Sequence, residues 1–329
     1  MHAFNPTDVP GFTHAFLFGN EGEPRKIDAP DIAAALAAPD EGWLWLHLNL
    51  TDQRCGYWLE AQARLDPLII AFFAKPPAYQ SIETAGGRVI GSLSDLRQDF
   101  AGESHEAARL NFCLSERLLL TARTRPLQAV EHLRRSLEHG QPFASPAKLL
   151  RRLLGLNAER LQALVDELSV EVEFVEEHVF DDHIGDERKR ALSVRREAAR
   201  LHRTQRGLRR ALTEALREHD DFVPGLAALV ELHAHIDQEF QTLEARARLL
   251  HDEIDAKLAA ETNSQLYRLS VLTALFLPPT LIVGVFGMNV GGMVWAESPW
   301  GLLFACLLAA GASALTWFLL DRLARKGER

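Results

Sequence analysis

Residues 269–287 read LSVLTALFLPPTLIVGVFG, nineteen consecutive positions without an ionisable side chain. As an α-helix rising about 1.5 Å per residue, this stretch is about 28 Å long, close to the thickness of the hydrocarbon core of a bilayer. A second uncharged stretch, residues 299–320, follows after a short loop. Two such stretches in succession predict a transmembrane hairpin whose two flanks lie on the same side of the membrane.

The charges around this hairpin predict its orientation. The tail after the second stretch carries Arg322, Arg325, Lys326 and Arg329, whereas the loop between the stretches carries no Lys or Arg and one acid, Glu297. Because Lys and Arg close to a span are retained in the cytoplasm, we expect the tail inside. Two crossings then put the long N-terminal part inside as well. The sequence thus predicts an inner-membrane, multi-pass protein with both termini cytoplasmic.

The first span also carries polar and small residues at a 3.5-residue period, which place them on one helix face. We call this set the seam; it consists of Asn263, Leu266, Ser270, Thr273, Leu277, Thr280, Gly284 and Gly287. Two explanations stay open. Ser, Thr and Gly side chains pack membrane helices together, or the seam lines a pore that several copies of the chain share. Within the span, Pro278 and Pro279 remove backbone donors and predict a kink.

The end of the first span carries a resemblance to a known family. The sequence Phe286-Gly287-Met288-Asn289, followed by a second span, resembles the Tyr/Phe-Gly-Met-Asn signature of the CorA family of divalent-cation transporters. The continuation Val290-Gly291-Gly292-Met293 is similar to the zinc-transporting ZntB branch, although Val294 stands where that branch has proline. The resemblance implies a CorA-like funnel, a homopentamer in the lipid bilayer and transport of a divalent cation, Zn²⁺ in particular.

The resemblance also implies roles for individual residues. Asn289 would place a ring of amide oxygens at the outer mouth, beside Gly287 and Met288, and Glu297 would raise the cation concentration there. Asp252 would form the first charged ring on the cytosolic side and a second metal-contacting position. The implied pore-lining residues are Asn263, Leu266, Ser270, Thr273, Leu277, Thr280 and Gly284. Amide oxygens suit a hydrated divalent ion because they bind its water shell without removing it.

The choice of metal and of function class leaves alternatives open. The seam contains no His or Cys, so Zn²⁺ follows from the resemblance alone, and magnesium, cobalt or nickel are alternatives. A membrane-tethered helical scaffold without transport is the alternative outside transporters. The net charge of −9 argues against nucleic acid as a partner. We expect no permanently bound cofactor and no enzyme activity, since no nucleophile–base arrangement is visible.

The rest of the chain predicts an α+β cytosolic domain, a mixed sheet with helices, over residues 1–125. Long cytosolic helices and a stalk follow over residues 126–267, and the hairpin with its periplasmic loop and cytosolic tail occupies residues 268–329. The predicted strands are Phe12–Phe18, Trp43–Leu48, Arg88–Leu96 and Leu110–Leu120, with a turn at Gly86-Gly87 and His47 as a surface or hydrogen-bonded core residue.

The last cytosolic helix is predicted to start near Pro224 and to run unbroken into the membrane. Its own apolar stripe is Leu226, Leu229, His233, Ile236, Phe240, Leu243, Ala247, Leu250 and Ile254. The seam, followed backward, occupies a different phase through Ala259, Ala256, Asp252, Leu249 and Ala245. Two phases on one helix are expected of a stalk that packs its own domain on one side and faces an axis on the other, which favours the pore.

Two charged features have simpler explanations. The basic helix that starts near Glu187 is interpreted as a solvated face paired with acids of the preceding helix, rather than as an anion site; those acids are Glu171, Glu173, Glu176 and Glu177. The residues Asp181-Asp182-His183 with Asp186 have metal-binding side chains but are interpreted as a polar turn. His233 and His235 point in different directions on a helix and are weak candidates for a shared metal.

Overall fold

The computed structural model describes residues 12–37, 42–61, 65–99, 102–178, 184–218, 222–288 and 300–327. The chain divides into two compact units, Met1–His251 and Asp252–Arg329. The first unit holds the sheet and most of the helices, and the second holds the two long apolar segments. The proposed division of the chain at residues 125 and 267 therefore stays a prediction.

The first unit contains a seven-stranded mixed sheet. Its strands are β1 (Phe12–Phe18), β2 (Pro24–Lys26), β3 (Trp43–Asn49), β4 (Ser81–Ala85), β5 (Arg88–Asp99), β6 (Gly102–Leu114) and β7 (Leu118–Arg123). They lie in the order β2-β1-β3-β7-β6-β5-β4. The β3–β7 pair is parallel and the other neighbours are antiparallel. A mixed sheet in an α+β domain is the predicted fold class.

Helices make up most of the remainder. They are α1 (Ala29–Ala37), α2 (Gln53–Ala61), α3 (Pro67–Ala74), α4 (Gln128–Glu138), α5 (Pro146–His178), α6 (Ile184–Glu218), α7 (Leu226–Gly287) and α8 (Gly301–Gly327). Sequence features fix the start of α3: Asp66 caps the helix by accepting from the Leu68 backbone N–H, and Pro67 occupies the first turn. The predicted run of long helices after residue 126 is confirmed.

One predicted strand is wrong. The stretch Leu110–Leu120 is two strands, because the Ser115 backbone N–H donates to the Leu118 carbonyl at 2.8 Å and closes a turn between β6 and β7. The apolar pattern hides this turn, since both strands are buried. The sequence did not predict β4, but it did predict the turn at Gly86-Gly87 that connects β4 to β5. Both glycines have positive φ, as such a turn requires. The short β2 was also not predicted.

Alternation along β3 explains how the sheet is covered on both faces. Leu44, Leu46 and Leu48 join a buried cluster that includes residues of α1, α2 and α3. On the opposite face His47 is fully buried, and its Nδ1 lies 2.8 Å from Thr121 Oγ1. Burial holds the pKa of His47 well below its ordinary value. His47 is therefore the hydrogen-bonded core histidine that the sequence favoured, not a catalytic group.

A buried carboxylate joins β5 to α4 and α5. Asp95 is 3% exposed and accepts hydrogen bonds from the backbone N–H of Leu96 at 2.7 Å and of Ala129 at 3.2 Å. The side-chain amide of Asn157 donates to it at 2.9 Å. Burial raises the pKa of Asp95 to about 6, even though these donors oppose the shift. Since the folded pKa exceeds the unfolded value, Asp95 favours folding at acid pH, and this contribution is lost as pH rises through about 6.

Asn157→Ala should destabilise the chain and should do so more strongly above pH 6. The variant leaves the Asp95 carboxylate without its side-chain donor, which costs about 1–3 kcal/mol and corresponds to a Tm lower by about 3–10 °C. Thermal unfolding of the detergent-solubilised chain at pH 5 and pH 8 measures this. Gln141→Ala, at an exposed glutamine, is the control and should change neither value. An equal loss at both pH values would contradict the role given to the ionised carboxylate.

Candidate pore-lining site

Helix α7 presents a buried phase and an exposed phase, as the sequence predicted. All members of its own apolar stripe are buried: Leu226, Leu229, His233, Ile236, Phe240, Leu243, Ala247, Leu250 and Ile254. The other phase is exposed throughout at Ala245, Leu249, Asp252, Ala256 and Ala259. The first phase stabilises the fold of the chain itself. The second phase leaves Asp252 and its neighbours accessible along the same helix.

Within the first apolar span the seam is exposed on the isolated chain. Its members from Asn263 to Gly287 are all exposed, including Leu266 at 57% and Leu277 at 63%. The half-buried positions of the span are instead Val271, Ala274, Leu275, Pro278, Pro279 and Ile282. At about 100° per residue, the centres of these two sets lie on nearly opposite sides of the helix. The Leu275 side of α7 contacts α8 through Ser313, so the seam faces away from α8.

A groove of about 770 Å³ runs along this outward face. It is lined by Leu272, Thr273, Phe276, Leu277, Thr280, Leu281, Gly284, Val285 and Met288. It therefore brings together four predicted pore-lining residues and one residue of the signature. Asn263, Leu266 and Ser270 share the face but lie outside the groove, and Gly287 ends α7. Asn289 and Glu297 lie outside the described residues.

The groove is broader than the seam. Phe276 and Leu281, which the 3.5-residue period assigns to other faces, line its two sides. A helical face that meets neighbours spans about 100° or more, so residues on either side of a one-residue-wide seam belong to it as well. The surface is mostly apolar, and its hydroxyl groups come from Thr273 and Thr280.

Both threonine hydroxyls are oriented by the helix backbone. Thr273 Oγ1 donates to the Leu269 carbonyl at 2.8 Å, and Thr280 Oγ1 donates to the Phe276 carbonyl at 2.7 Å. A hydroxyl has one proton and two lone pairs, so a hydroxyl whose proton is held by the backbone presents acceptor capacity outward. The two exposed threonines therefore offer oxygen lone pairs, which suit a cation or the water around it.

A side chain of α8 hydrogen-bonds a backbone carbonyl that the prolines of the span leave without its usual donor. Pro279 has no N–H to donate to the carbonyl of Leu275, four residues earlier. Ser313 of α8 donates its hydroxyl to that carbonyl at 3.4 Å. A freed carbonyl in a membrane helix requires such a partner, because hydrocarbon offers none. Sequence reasoning predicted the need for a partner but not Ser313, since residue spacing cannot show which part of α8 lies against Leu275.

The metal candidates outside the two apolar spans receive no support from the described residues. Among these residues, no group of three or more His, Cys, Asp or Glu side chains could hold a metal ion. His233 is fully buried and its ring lies 3.1 Å from the amide of Gln205, and burial lowers its pKa to about 4. His235 points elsewhere, toward Glu239 at 3.4 Å. Asp181, Asp182 and His183, interpreted above as a polar turn, lie outside the described residues.

The acids of α5 pair differently from the prediction. Glu176 binds Arg246 of α7 at 2.8 Å, and Glu173 approaches the same guanidinium at 4.0 Å. The basic helix α6 makes other contacts, such as Arg209 with Asp237 of α7 at 3.1 Å. For Glu173 and Glu176, the predicted pairing with α6 is therefore wrong, because α7 also packs against this face of the unit.

Comparison with known proteins identifies the family. A model described as "CorA-like Mg2+ transporter protein" matches residues 40–322. This chain belongs to that family. CmaX of Pseudomonas aeruginosa, described as a divalent cation transporter, is 24% identical over 98% of this chain and 99% of its own length. The zinc transport protein ZntB of Pectobacterium atrosepticum is 21% identical, and the match covers 94% of each chain.

Solved structures of CorA-family proteins share the fold. Full-length CmaX superposes with a TM-score of 0.79 at 23% identity, covering 97% of this chain and all of that one. The CorA magnesium transporter of Methanocaldococcus jannaschii gives 0.75 at 15% identity, covering 94% and 97%. The predicted fold class and family are confirmed. The two segments long and apolar enough to cross a membrane, in α7 and at Gly301–Arg322 of α8, are those of a CorA-family cation transporter, not an enzyme.

The Ser313 contact can be tested by a double-mutant cycle. Ser313→Ala should lower the Tm of the solubilised protein, because the Leu275 carbonyl loses its donor; a hydrogen bond between membrane helices contributes about 0.6–2 kcal/mol. In a Pro279→Ala background, the restored backbone N–H of residue 279 should donate to the Leu275 carbonyl. Ser313→Ala should then have little effect on the Tm. An undiminished loss in the Pro279→Ala background would contradict the compensation. Thr316→Val, whose hydroxyl bonds its own helix at Ala312, is the control.

Proposed function

We propose that this CorA-family protein transports hydrated divalent cations, Zn²⁺ in particular, through an axial pore formed by α7 of several copies. A homopentamer is the assembly that family membership favours. The observation that carries the proposal is the exposed seam of α7, which faces away from α8 and carries oriented hydroxyl oxygens. In a closed ring, that face would meet the axis and α8 would form the outer layer.

The chemistry of the seam suits an ion that keeps its water. Thr273 and Thr280 lie seven residues apart, two turns or about 10 Å along the axis. Their outward lone pairs would accept hydrogen bonds from the water shell, which avoids the high cost of removing water from a small divalent ion. Leu277 lies between them and Leu266 below, and rings of these side chains would narrow the pore without binding the ion. Asn263, Ser270 and Gly284 would complete its lining.

The two ends of the pore would carry the polar and charged rings. At the outer mouth, Asn289 would supply amide oxygens to the hydrated ion, supported by Gly287 and Met288, with Glu297 attracting cations. At the cytosolic end, exposed Asp252 would form the first acidic ring. The proposed arrangement would place both chain termini in the cytoplasm and the loop between the spans outside, in agreement with the basic tail.

Zinc is supported by the Val290-Gly291-Gly292 continuation and by relatives described as zinc transport proteins. The proposed lining contains only oxygen and apolar groups, so selection would depend on the hydrated ion and not on sulfur or imidazole ligands. Magnesium, cobalt and nickel transport is the alternative within the family. Uptake of each metal by reconstituted protein separates these ions.

Asn289→Leu should abolish most metal uptake while leaving assembly intact. The substitution removes the amide oxygens and keeps a side chain of similar size at a water-exposed mouth. The measurement is zinc uptake into proteoliposomes, with the mass of the solubilised complex as the check on assembly. Asn289→Gln retains an amide and should keep part of the uptake. Full uptake by correctly assembled Asn289→Leu protein would refute the outer-ring role.

Cysteine accessibility distinguishes a pore wall from a packing face. In a Cys306→Ser background, Thr273→Cys and Thr280→Cys should react with small polar thiol reagents and lose flux, because thiol reactivity requires the thiolate and hence water. Val271→Cys and Ile282→Cys are the matched controls, since those half-buried positions lie on the α8 side of the same helix.

Equal inertness at all four positions would favour the packing explanation of the seam. A two-fold assembly without flux would then support the scaffold alternative, because a pore requires closed symmetry of higher order.

A further inference from the structure

A second cavity, remote in sequence from the seam, lies in the first unit beside α4. It has a volume of about 430 Å³ and opens between the sheet and the first turns of that helix. Its lining residues are His14, Gln98, Arg123, Pro126, Leu127, Val130, Glu131 and Arg135. We call it the α4 pocket. Strands β1, β5 and β7, the connection before α4 and α4 itself supply these residues, so several elements and not a single loop build the pocket.

Arg123 is the unusual residue of the pocket. It ends β7, is half-buried, and has no hydrogen bond or ion pair from its guanidinium to any described residue. Burial lowers its pKa, which shows that the charge is partly removed from water. A half-buried cation is less well solvated than one in water, so an anion beside it would stabilise it.

Glu131, the acid whose charge acts on Arg123, already has hydrogen-bond partners. Glu131 accepts from Arg134 at 2.6 Å and 3.0 Å and from Arg135 at 3.2 Å. These contacts hold the pKa of Glu131 below its ordinary value. Its remaining interaction with Arg123 is electrostatic and not a hydrogen bond. The pocket lining therefore carries two arginines and one carboxylate, and its Arg123 guanidinium has no hydrogen-bonded anion among the described residues.

The other lining residues limit the charge and the polarity of an anion that could bind beside Arg123. Burial, followed by the nearby Arg134, lowers the pKa of His14 to about 4, so its ring is neutral at pH 7 and adds no charge. Pro126, Leu127 and Val130 provide an apolar wall. The Glu131 carboxylate across the pocket disfavours a second negative charge on the ligand.

We propose that the α4 pocket binds a small organic monocarboxylate, whose carboxylate pairs with Arg123 and whose apolar body lies against Pro126, Leu127 and Val130. The planar guanidinium matches a carboxylate with two parallel hydrogen bonds. The neutral ring of His14 lies in the same lining and offers a further hydrogen bond. A doubly charged phosphate fits less well, because the pocket has one excess positive charge and an acid on its wall.

Ligand-observed NMR on the full-length chain in nanodiscs tests this with butyrate as the probe. Butyrate should give saturation-transfer signals, and the isosteric neutral butyramide and inorganic phosphate should give signals at least tenfold weaker. Arg123→Gln should reduce the butyrate signal at least tenfold. Arg125→Gln is the matched control, because Arg125 is an exposed arginine two residues away that does not line the pocket.

The Tm of the ligand-free Arg123→Gln variant distinguishes a ligand-binding role of Arg123 from a structural role, because the two roles predict opposite changes. Since Arg123 is half-buried and unpaired among the described residues, Arg123→Gln should leave the Tm unchanged or raise it, whereas loss of a structural ion pair would lower it. Equal signals from butyrate and butyramide, stronger binding of phosphate, undiminished binding by Arg123→Gln, or a lowered Tm would each overturn the proposal.

Discussion

The structure depends on one helix having two different faces along its length. Helix α7 contains 62 residues, and its apolar stripe is buried at every third or fourth position as far as Ile254. A soluble helix needs only that stripe, with charged residues elsewhere. In α7 the opposite phase carries small and apolar residues such as Ala245 and Leu249, and it stays exposed on the isolated chain. An exposed apolar phase of this length requires something outside the chain to cover it.

Membrane chemistry explains why the seam is built from threonine and glycine around two prolines. In hydrocarbon every backbone carbonyl needs a partner, so Pro279 creates a requirement that Ser313 of α8 meets at Leu275. That contact marks the side of α7 that faces α8, and the hydroxyls of Thr273 and Thr280 lie on the other side. Their protons are held by their own helix. Pro278 and Pro279 lie among the half-buried positions on the α8 side and are not part of the seam.

The sequence predicted those features that depend on period and length. The two phases of α7, the long helices after residue 126, and the strands at Phe12–Phe18 and Trp43–Leu48 depend on side-chain spacing, and the structure confirms them. The Phe-Gly-Met-Asn signature led to the family. Features that depend on which elements meet in space were missed, including Ser313 against Leu275, Arg246 against Glu176 and the α4 pocket. Spacing within a helix carries no information about its partner.

Asp95 and Arg123 are charged residues that are buried or half-buried in different surroundings. Asp95 is almost fully buried, and the three donors around it offset only part of the effect of burial, which raises its pKa to about 6. Arg123, at the end of β7, is half-buried without any such partner among the described residues. Asp95 thus has three hydrogen-bond donors, whereas Glu131, the acid on the same pocket wall as Arg123, pairs with two other arginines. The half-buried guanidinium of Arg123 is the group that the proposed carboxylate would pair with.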